Sequence, residues 1–122
     1  EFDLACKGRS ATIVGSGGGP IVGTNGADVI VGTPRADTIR ALGGNDLVCA
    51  GGGNDRVKGG AGADEIRGQG GNDRLSGGGG RDRLYGQAGR DKLVGGGGKG
   101  DLCHGGPGKD KAKRSCEKVR SA

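Results

Sequence analysis

A nine-residue period runs through most of this 122-residue chain and restricts its possible folds more than any other feature. Counted from Gly23, it continues to Cys103 as nine successive repeats. The sixth position reads Asp28, Asp37, Asp46, Asp55, Asp64, Asp73, Asp82, Asp91 and then Gly100. The eighth is always aliphatic: Ile30, Ile39, Val48, Val57, Ile66, Leu75, Leu84, Leu93 and Leu102. The fourth is glycine except in the second repeat, where Arg35 stands. A flexible glycine-rich linker has no reason to keep aspartate and aliphatic residues in phase. Such phasing marks a repeat architecture, in which each unit buries its apolar side only against its neighbours.

Composition says how such a stack must be held. Glycine supplies 33 residues, while Leu, Ile, Val and Phe together supply 21, about 17% of the chain. Chains below roughly 20% in these residues usually stay disordered. Ordering costs about 1 kcal/mol or more per residue, most of all at glycine. A dozen buried aliphatics return only about 1.5–3 kcal/mol each. Something besides apolar burial has to stabilise the fold. The four cysteines are too widely spaced for a CxxC zinc or redox site, so disulfides in an oxidising compartment are expected. No signal peptide or transmembrane stretch is visible, and the chain is read as a mature, exported form.

The three columns combine into GGxGxDxUx, with U a large aliphatic. Over about two thirds of its length the chain resembles the RTX, or hemolysin-type, calcium-binding nonapeptide-repeat family. The resemblance implies an all-β fold, a right-handed parallel β-roll (a β-solenoid) with two repeats per coil. Each repeat would give a six-residue turn and a three-residue strand. Residues 1–22 would form an N-terminal cap segment, 23–103 the roll, and 104–122 a degenerate repeat and cap. Glycine at the first and fourth positions is expected to permit positive φ in the turn. The eighth position should point inward and the seventh and ninth outward. Ile13 and Val14 are expected to form a first strand, with Ile21 leading into the array. Gly100 is expected to break the aspartate ladder, with Asp101 following one residue late and Asp110 nine residues further on.

On such a roll, repeats n and n+2 stack on one edge. Asp28, Asp46, Asp64 and Asp82 then line one edge, and Asp37, Asp55, Asp73 and Asp91 the other. Carboxylates stacked at about 4.8 Å repel strongly unless a cation lies between them. Calcium takes six to eight oxygens from carboxylates and carbonyls, which a glycine-rich turn offers; magnesium demands a tighter octahedron. The candidate ligand set comprises those aspartates with Asp101 and Asp110, the turn residues Gly26, Gly43, Gly44, Gly52, Gly53, Gly62, Gly71, Gly80 and Gly89, and Asn45, Asn54 and Asn72. Six stacked pairs, from 28–46 to 73–91, suggest about six ions. The sites beside Arg35 are the weakest, because Arg35 replaces a turn glycine and adds positive charge. Asp and Asn are also ordinary turn formers, but that explains one carboxylate per turn and not two files in register.

The same fold narrows the cysteine pairing. Cys49 and Cys103 lie three coils apart, about 14 Å, beyond disulfide reach. Of the two remaining pairings, Cys6–Cys49 with Cys103–Cys116 closes local loops and pins each end of the roll. No catalytic constellation is found. His104, the single histidine, reads as a solvated cap residue. Runs such as Gly77–Gly80 lack the Lys-Ser/Thr and helix of a phosphate loop. Arg56, Arg74 and Lys92, flanked by Arg40 and Lys58, would form a basic stripe on one face. With six calcium ions the formal charge would rise from +5 to about +17, favouring anionic cell-wall or extracellular polymers without specific nucleic-acid recognition. The expected function is a secreted, non-enzymatic calcium-binding module whose folding is coupled to the ion. The alternatives are a polyanion-binding or adhesion module, or the C-terminal secretion and folding tail of a larger protein. An ice-binding roll would need outward threonine ladders, and only Thr38 occupies such a position.

Overall fold

The computed structural model describes residues 5–15, 19–97, 101–105, 111–112 and 118–120. It opens with an antiparallel hairpin, β1 (Ala5–Cys6) and β2 (Arg9–Ser10). Short strands then follow at repeat intervals: β3 (Ile13–Val14), β4 (Ile21–Val22), β5 (Val29–Val31), β6 (Thr38–Arg40), β7 (Leu47–Cys49) and β8 (Arg56–Lys58). The series continues through β9 (Glu65–Arg67), β10 (Arg74–Ser76), β11 (Arg83–Tyr85), β12 (Lys92–Val94), β13 (Leu102–His104), β14 (Lys111–Ala112) and β15 (Lys118–Arg120). Alternate strands enter alternate parallel sheets. The first sheet runs β3, β5, β7, β9, β11, β13, β15, and the second β4, β6, β8, β10, β12, β14. The result is a parallel β-solenoid with two repeats per coil. Through the regular repeats, register partners are 18 residues apart: Val48 faces Ile30 and Ile66, and Leu75 faces Val57 and Leu93.

Between the sheets lies one file of inward side chains per sheet. Ile30, Ile39, Val48, Val57, Ile66, Leu75, Leu84 and Leu93 are all buried, with Ala41 and Ala50 in the same cluster. The seventh and ninth positions point outward on the second sheet, as in β6 and β8, where only the central residue is buried.

Three details depart from the sequence reading. First, the period slips before the last repeat. Leu84 pairs with Cys103, so Cys103 points inward and Leu102 sits at an outward position. The spacing from Asp82 to Asp101 is 19, and Asp101 takes the ladder position expected for Gly100. Holding the carboxylate in line matters more here than keeping the aliphatic column pure. Second, positive φ falls at the second and fourth turn positions, not the first. Leu42 and Gly44, Gly51 and Gly53, Gly60 and Gly62, Gln69 and Gly71, Gly78 and Gly80, and Gln87 and Gly89 all adopt it. The first-position glycines have a different reason to be small: a Cβ at Gly59, Gly68, Gly77 or Gly86 would run into the aspartate Oδ2 of its own repeat. Third, the outer face of the first sheet is covered at its start. Val29, Leu47 and Cys49 are buried with Cys6 of the hairpin, and Val31 packs against them.

Cys6 and Cys49 form a disulfide with Cα atoms 5.7 Å apart, fastening the hairpin to β7. Closing a loop across 43 positions stabilises by about 4 kcal/mol in the chain-entropy view. Cys103 is also disulfide-bonded; its expected partner, Cys116, lies outside the described residues, as does Asp110.

The fourth-position glycines pack without room for a side chain. A Cβ on Gly71 would overlap the Gly53 carbonyl oxygen, and its φ is +91°. Gly71→Ala should therefore lower stability by about 2–4 kcal/mol. Leu42 is a half-exposed leucine at φ +69°. Leu42→Gly should raise stability by about 0.5–1 kcal/mol, since relief of the left-handed strain exceeds the entropy glycine adds to the unfolded chain. Urea unfolding in calcium checks both signs.

Candidate metal centre

The sixth residue of each repeat ends the turn, and its side chain turns back under it. All nine aspartates from Asp28 to Asp101 are buried, none more than 8% exposed. From Asp46 onward, one oxygen of each carboxylate links coils. Oδ1 of Asp46 accepts the backbone N–H of Asp28 at 2.8 Å, and Oδ1 of Asp64 that of Asp46 at 2.9 Å; the file continues through Asp82 to Asp101. On the other edge Asp55, Asp73 and Asp91 accept from Asp37, Asp55 and Asp73 in the same way. The sequence thus places two carboxylate files at the two edges, each tied to the backbone of the coil before it.

The second oxygen is different. Oδ2 of Asp46, Asp55, Asp64, Asp73, Asp82 and Asp101 is buried and has no hydrogen-bond partner. Leaving a buried acceptor unpaired costs about 1–3 kcal/mol, and more if it is charged. Among the described residues, the backbone bonds between coils end at carbonyls of the strands and of the aspartates. None is accepted by the turn carbonyls of Gly44, Gly53, Gly62, Gly71 or Gly80. The edge therefore combines orphaned carboxylate oxygens with unclaimed peptide oxygens. No three His, Cys, Asp or Glu side chains converge among the described residues. An ion here would draw at most two carboxylates from the ladder and the rest from carbonyls or water. An all-oxygen donor set with few charges fits calcium.

Burial pushes the ladder carboxyls up. Desolvation is the largest cause at every shifted aspartate, opposed by the backbone N–H bonds and reinforced at most of them by neighbouring carboxylates. Asp55 is raised to about 7, Asp64 to about 8, and Asp73 and Asp82 to about 6; Asp46 is also raised. Two unscreened like charges cannot both stay ionised in a dry edge.

The first two repeats are built otherwise. The Thr24 backbone N–H donates to Asp28 Oδ2 at 2.7 Å, and its hydroxyl donates to Oδ1 at 2.9 Å. Thr33 treats Asp37 identically. The same hydroxyls accept the N–H of Gly26 and of Arg35. None of Thr24, Gly26, Thr33 and Arg35 has positive φ, and a β-branched threonine would resist it. Arg35 is tolerated because this turn does not need glycine's conformation. Thr24 and Thr33 were missed in the sequence; their signal is a hydroxyl four residues before the aspartate, in two consecutive repeats.

The asparagines also have another engagement. Oδ1 of Asn45, Asn54 and Asn72 accepts the N–H of Ala63, Asn72 and Arg90, each at 2.8 Å, joining successive turns. Gln69 Oε1 accepts the Gly51 N–H similarly. Gly26, Gly43, Gly52 and Gly89 all lie in the turns. His104 lies on the outer face of the first sheet, its ring 6.2 Å from that of Tyr85, over which Arg67 stacks at 4.9 Å.

A family model described as RTX calcium-binding nonapeptide repeat matches the chain in four overlapping copies, at residues 22–57, 50–84, 67–102 and 77–112. No curated protein and no solved structure matches it.

A pH dependence follows from the raised carboxyls. Their folded values lie above the ordinary 3.8, so without calcium their contribution to stability is full below that value. It is lost as pH rises through about 6 to 8. In EDTA the far-UV circular dichroism of the roll should persist near pH 4 and disappear by about pH 8. A spectrum that does not change across this range in EDTA would contradict the ladder electrostatics.

Proposed function

The chain belongs to the RTX calcium-binding nonapeptide repeat family, and from that membership we propose that it is an extracellular, non-enzymatic module whose folding is coupled to calcium. The observation that carries the reading is the file of buried, unpartnered aspartate Oδ2 atoms beside unclaimed turn carbonyls. Calcium bound there would supply the positive charge that lets stacked carboxylates stay ionised in a buried edge. Its binding free energy is then folding free energy.

The donor set favours five ions rather than six. The stacked pairs 46–64, 55–73, 64–82, 73–91 and 82–101 fall in turns with positive φ at the second position, or begin from one. Asp28 and Asp37 have both carboxylate oxygens engaged by threonine. The first two turns thus serve as hydroxyl-closed starts to the ladder. Extracellular calcium modules bind in the roughly 10⁻⁴–10⁻³ M range, so sites of this class fill outside a cell and empty in the cytosol. The Cys6–Cys49 disulfide is consistent with an oxidising, secreted setting. A second reading, contact with anionic wall or extracellular polymers, is favoured by the cations gathered on the second sheet.

Titration calorimetry and circular dichroism test the proposal together. Calcium added to EDTA-treated protein at pH 7.5 should restore the β spectrum with a stoichiometry near five. Asp64→Asn removes a member of two stacked pairs and should lower that stoichiometry by about two, with half-saturation rising at least tenfold. Asp28→Asn should leave the stoichiometry unchanged. Equal losses from the two variants would overturn the assignment, and a spectrum indifferent to calcium would overturn coupled folding.

A further inference from the structure

Resting on the second reading above, we propose that the outer face of the second sheet is the docking surface for a linear acidic polysaccharide laid along the axis of the roll. Strand register places Arg56, Arg74 and Lys92 side by side in one column, with Thr38 before them and Lys111 at the next register position. Arg40 and Lys58 are neighbours in the adjacent column, which continues with Ser76 and Val94. Arg40, Arg56, Lys58 and Arg74 are exposed and Lys92 is half-buried. Among the described residues, none of the five makes an ion pair; the ion pairs found join Lys7 and Arg67 to Glu65, on the opposite sheet.

No outward strand position of the second sheet, from Val22 to Val94, carries an acid. A merely solvated surface would mix its signs. Here like charges lie directly opposite across neighbouring strands, an arrangement that costs stability in the free protein. A bound polyanion relieves that repulsion, with cations offered about every 4.8 Å along the axis. One sugar ring of a linear uronic or sulfated polymer spans a similar length. A shallow groove of about 220 Å³ on this face is lined by residues of both columns, Arg56, Arg74 and Lys92 from one and Lys58, Ser76 and Val94 from the other. The groove could take a ribbon of sugar rings, with acidic groups turned to the flanking cations.

The same face lacks what other polyanions need. Among the described residues it holds no aromatic side chain on which bases could stack; Tyr85 lies on the first sheet. Among the described residues the first sheet offers no such unbroken column: the hairpin covers its start, and Glu65 and Tyr85 interrupt the cations Arg67 and Arg83 that follow.

The test uses the full chain in millimolar calcium and heparin as the probe. Arg56→Gln/Arg74→Gln is compared with Arg9→Gln/Arg83→Gln, which removes the same charge from the other side. Circular dichroism with calcium confirms that each variant still folds. The expected result is at least a tenfold loss of heparin affinity for the first pair and under twofold for the second. The slope of log affinity against log salt should also fall by about 1.4 for the first pair. Equal losses would place binding in net charge and overturn the site while leaving the polyanion reading intact. No retention of the unaltered protein would overturn both. Binding to poly(dT) or to anionic phosphatidylglycerol vesicles as tight as to heparin would overturn the polysaccharide as occupant.

Discussion

Beyond the first two repeats the ladder aspartates divide two demands between their two oxygens, and the solenoid depends on that division. Oδ1 takes a backbone N–H from the coil 18 or 19 residues away, which fixes how coils stack. At Asp46, Asp55, Asp64, Asp73, Asp82 and Asp101, Oδ2 is left in a dry edge with nothing to accept. The first oxygen makes the fold regular, and the second makes it incomplete. A core only one side chain deep per sheet cannot offset several such losses. The carboxyls must therefore be protonated or be matched by a cation. The raised values at Asp55, Asp64, Asp73 and Asp82 express the first route, and the calcium-binding repeat expresses the second.

Turn conformation decides which repeats carry that demand. From Leu42 onward, positive φ at the second and fourth positions bends the chain so that carbonyls at the turn face the next coil. Gly62 and Gly71 accept the close approach because they have no side chain to oppose it. The threonine turns avoid positive φ and satisfy their own aspartates. A solenoid grows by adding coils to an existing edge, so its first coil cannot rely on a neighbour before it. A self-satisfied turn at Asp28 and Asp37 is a physical solution to that boundary.

The period made much of this legible. Aspartate at the sixth position and an aliphatic at the eighth determined the two edges, the inward column and the stacking of n on n+2. What escaped was local geometry inside the turn. Glycine at the first position looked like a conformational requirement, yet at Gly68 and Gly77 the limit is the space taken by the carboxylate. Residues such as Gln69 and Gln87 show that the second position takes positive φ even where glycine is absent, which no column of identities reveals. The late slip was hidden because Leu102 and Cys103 are both apolar and either could face inward. The decisive information was the carboxylate of Asp101, which aligns with Asp82 only if one residue is added. The hairpin cover left a trace in Val29, Val31, Leu47 and Cys49, four apolar residues at positions that elsewhere are mostly charged.

That cover explains why the two broad faces differ in kind. A sheet face in this roll can become apolar only where something shields it, and the N-terminal hairpin, held by Cys6–Cys49 and by the Lys7–Glu65 pair, shields the start of the first sheet. The second sheet has no such shield among the described residues, and every charged residue at its outward positions from Val22 to Val94 is a cation. Exposed like charges also discourage edge and face association between copies of a flat sheet, so solubility alone would favour some charge here. Solubility does not require one sign, however, and interspersed signs serve it better. The uniform sign, kept through Arg40, Arg56, Lys58, Arg74 and Lys92 without an intervening acid, is a constraint beyond remaining dissolved. Calcium bound in the adjacent edge would deepen the same field, because the column at the seventh position follows the ladder aspartates directly in sequence. Under the proposed coupling of folding to calcium, filling the ladder would fold the face and charge it in one step.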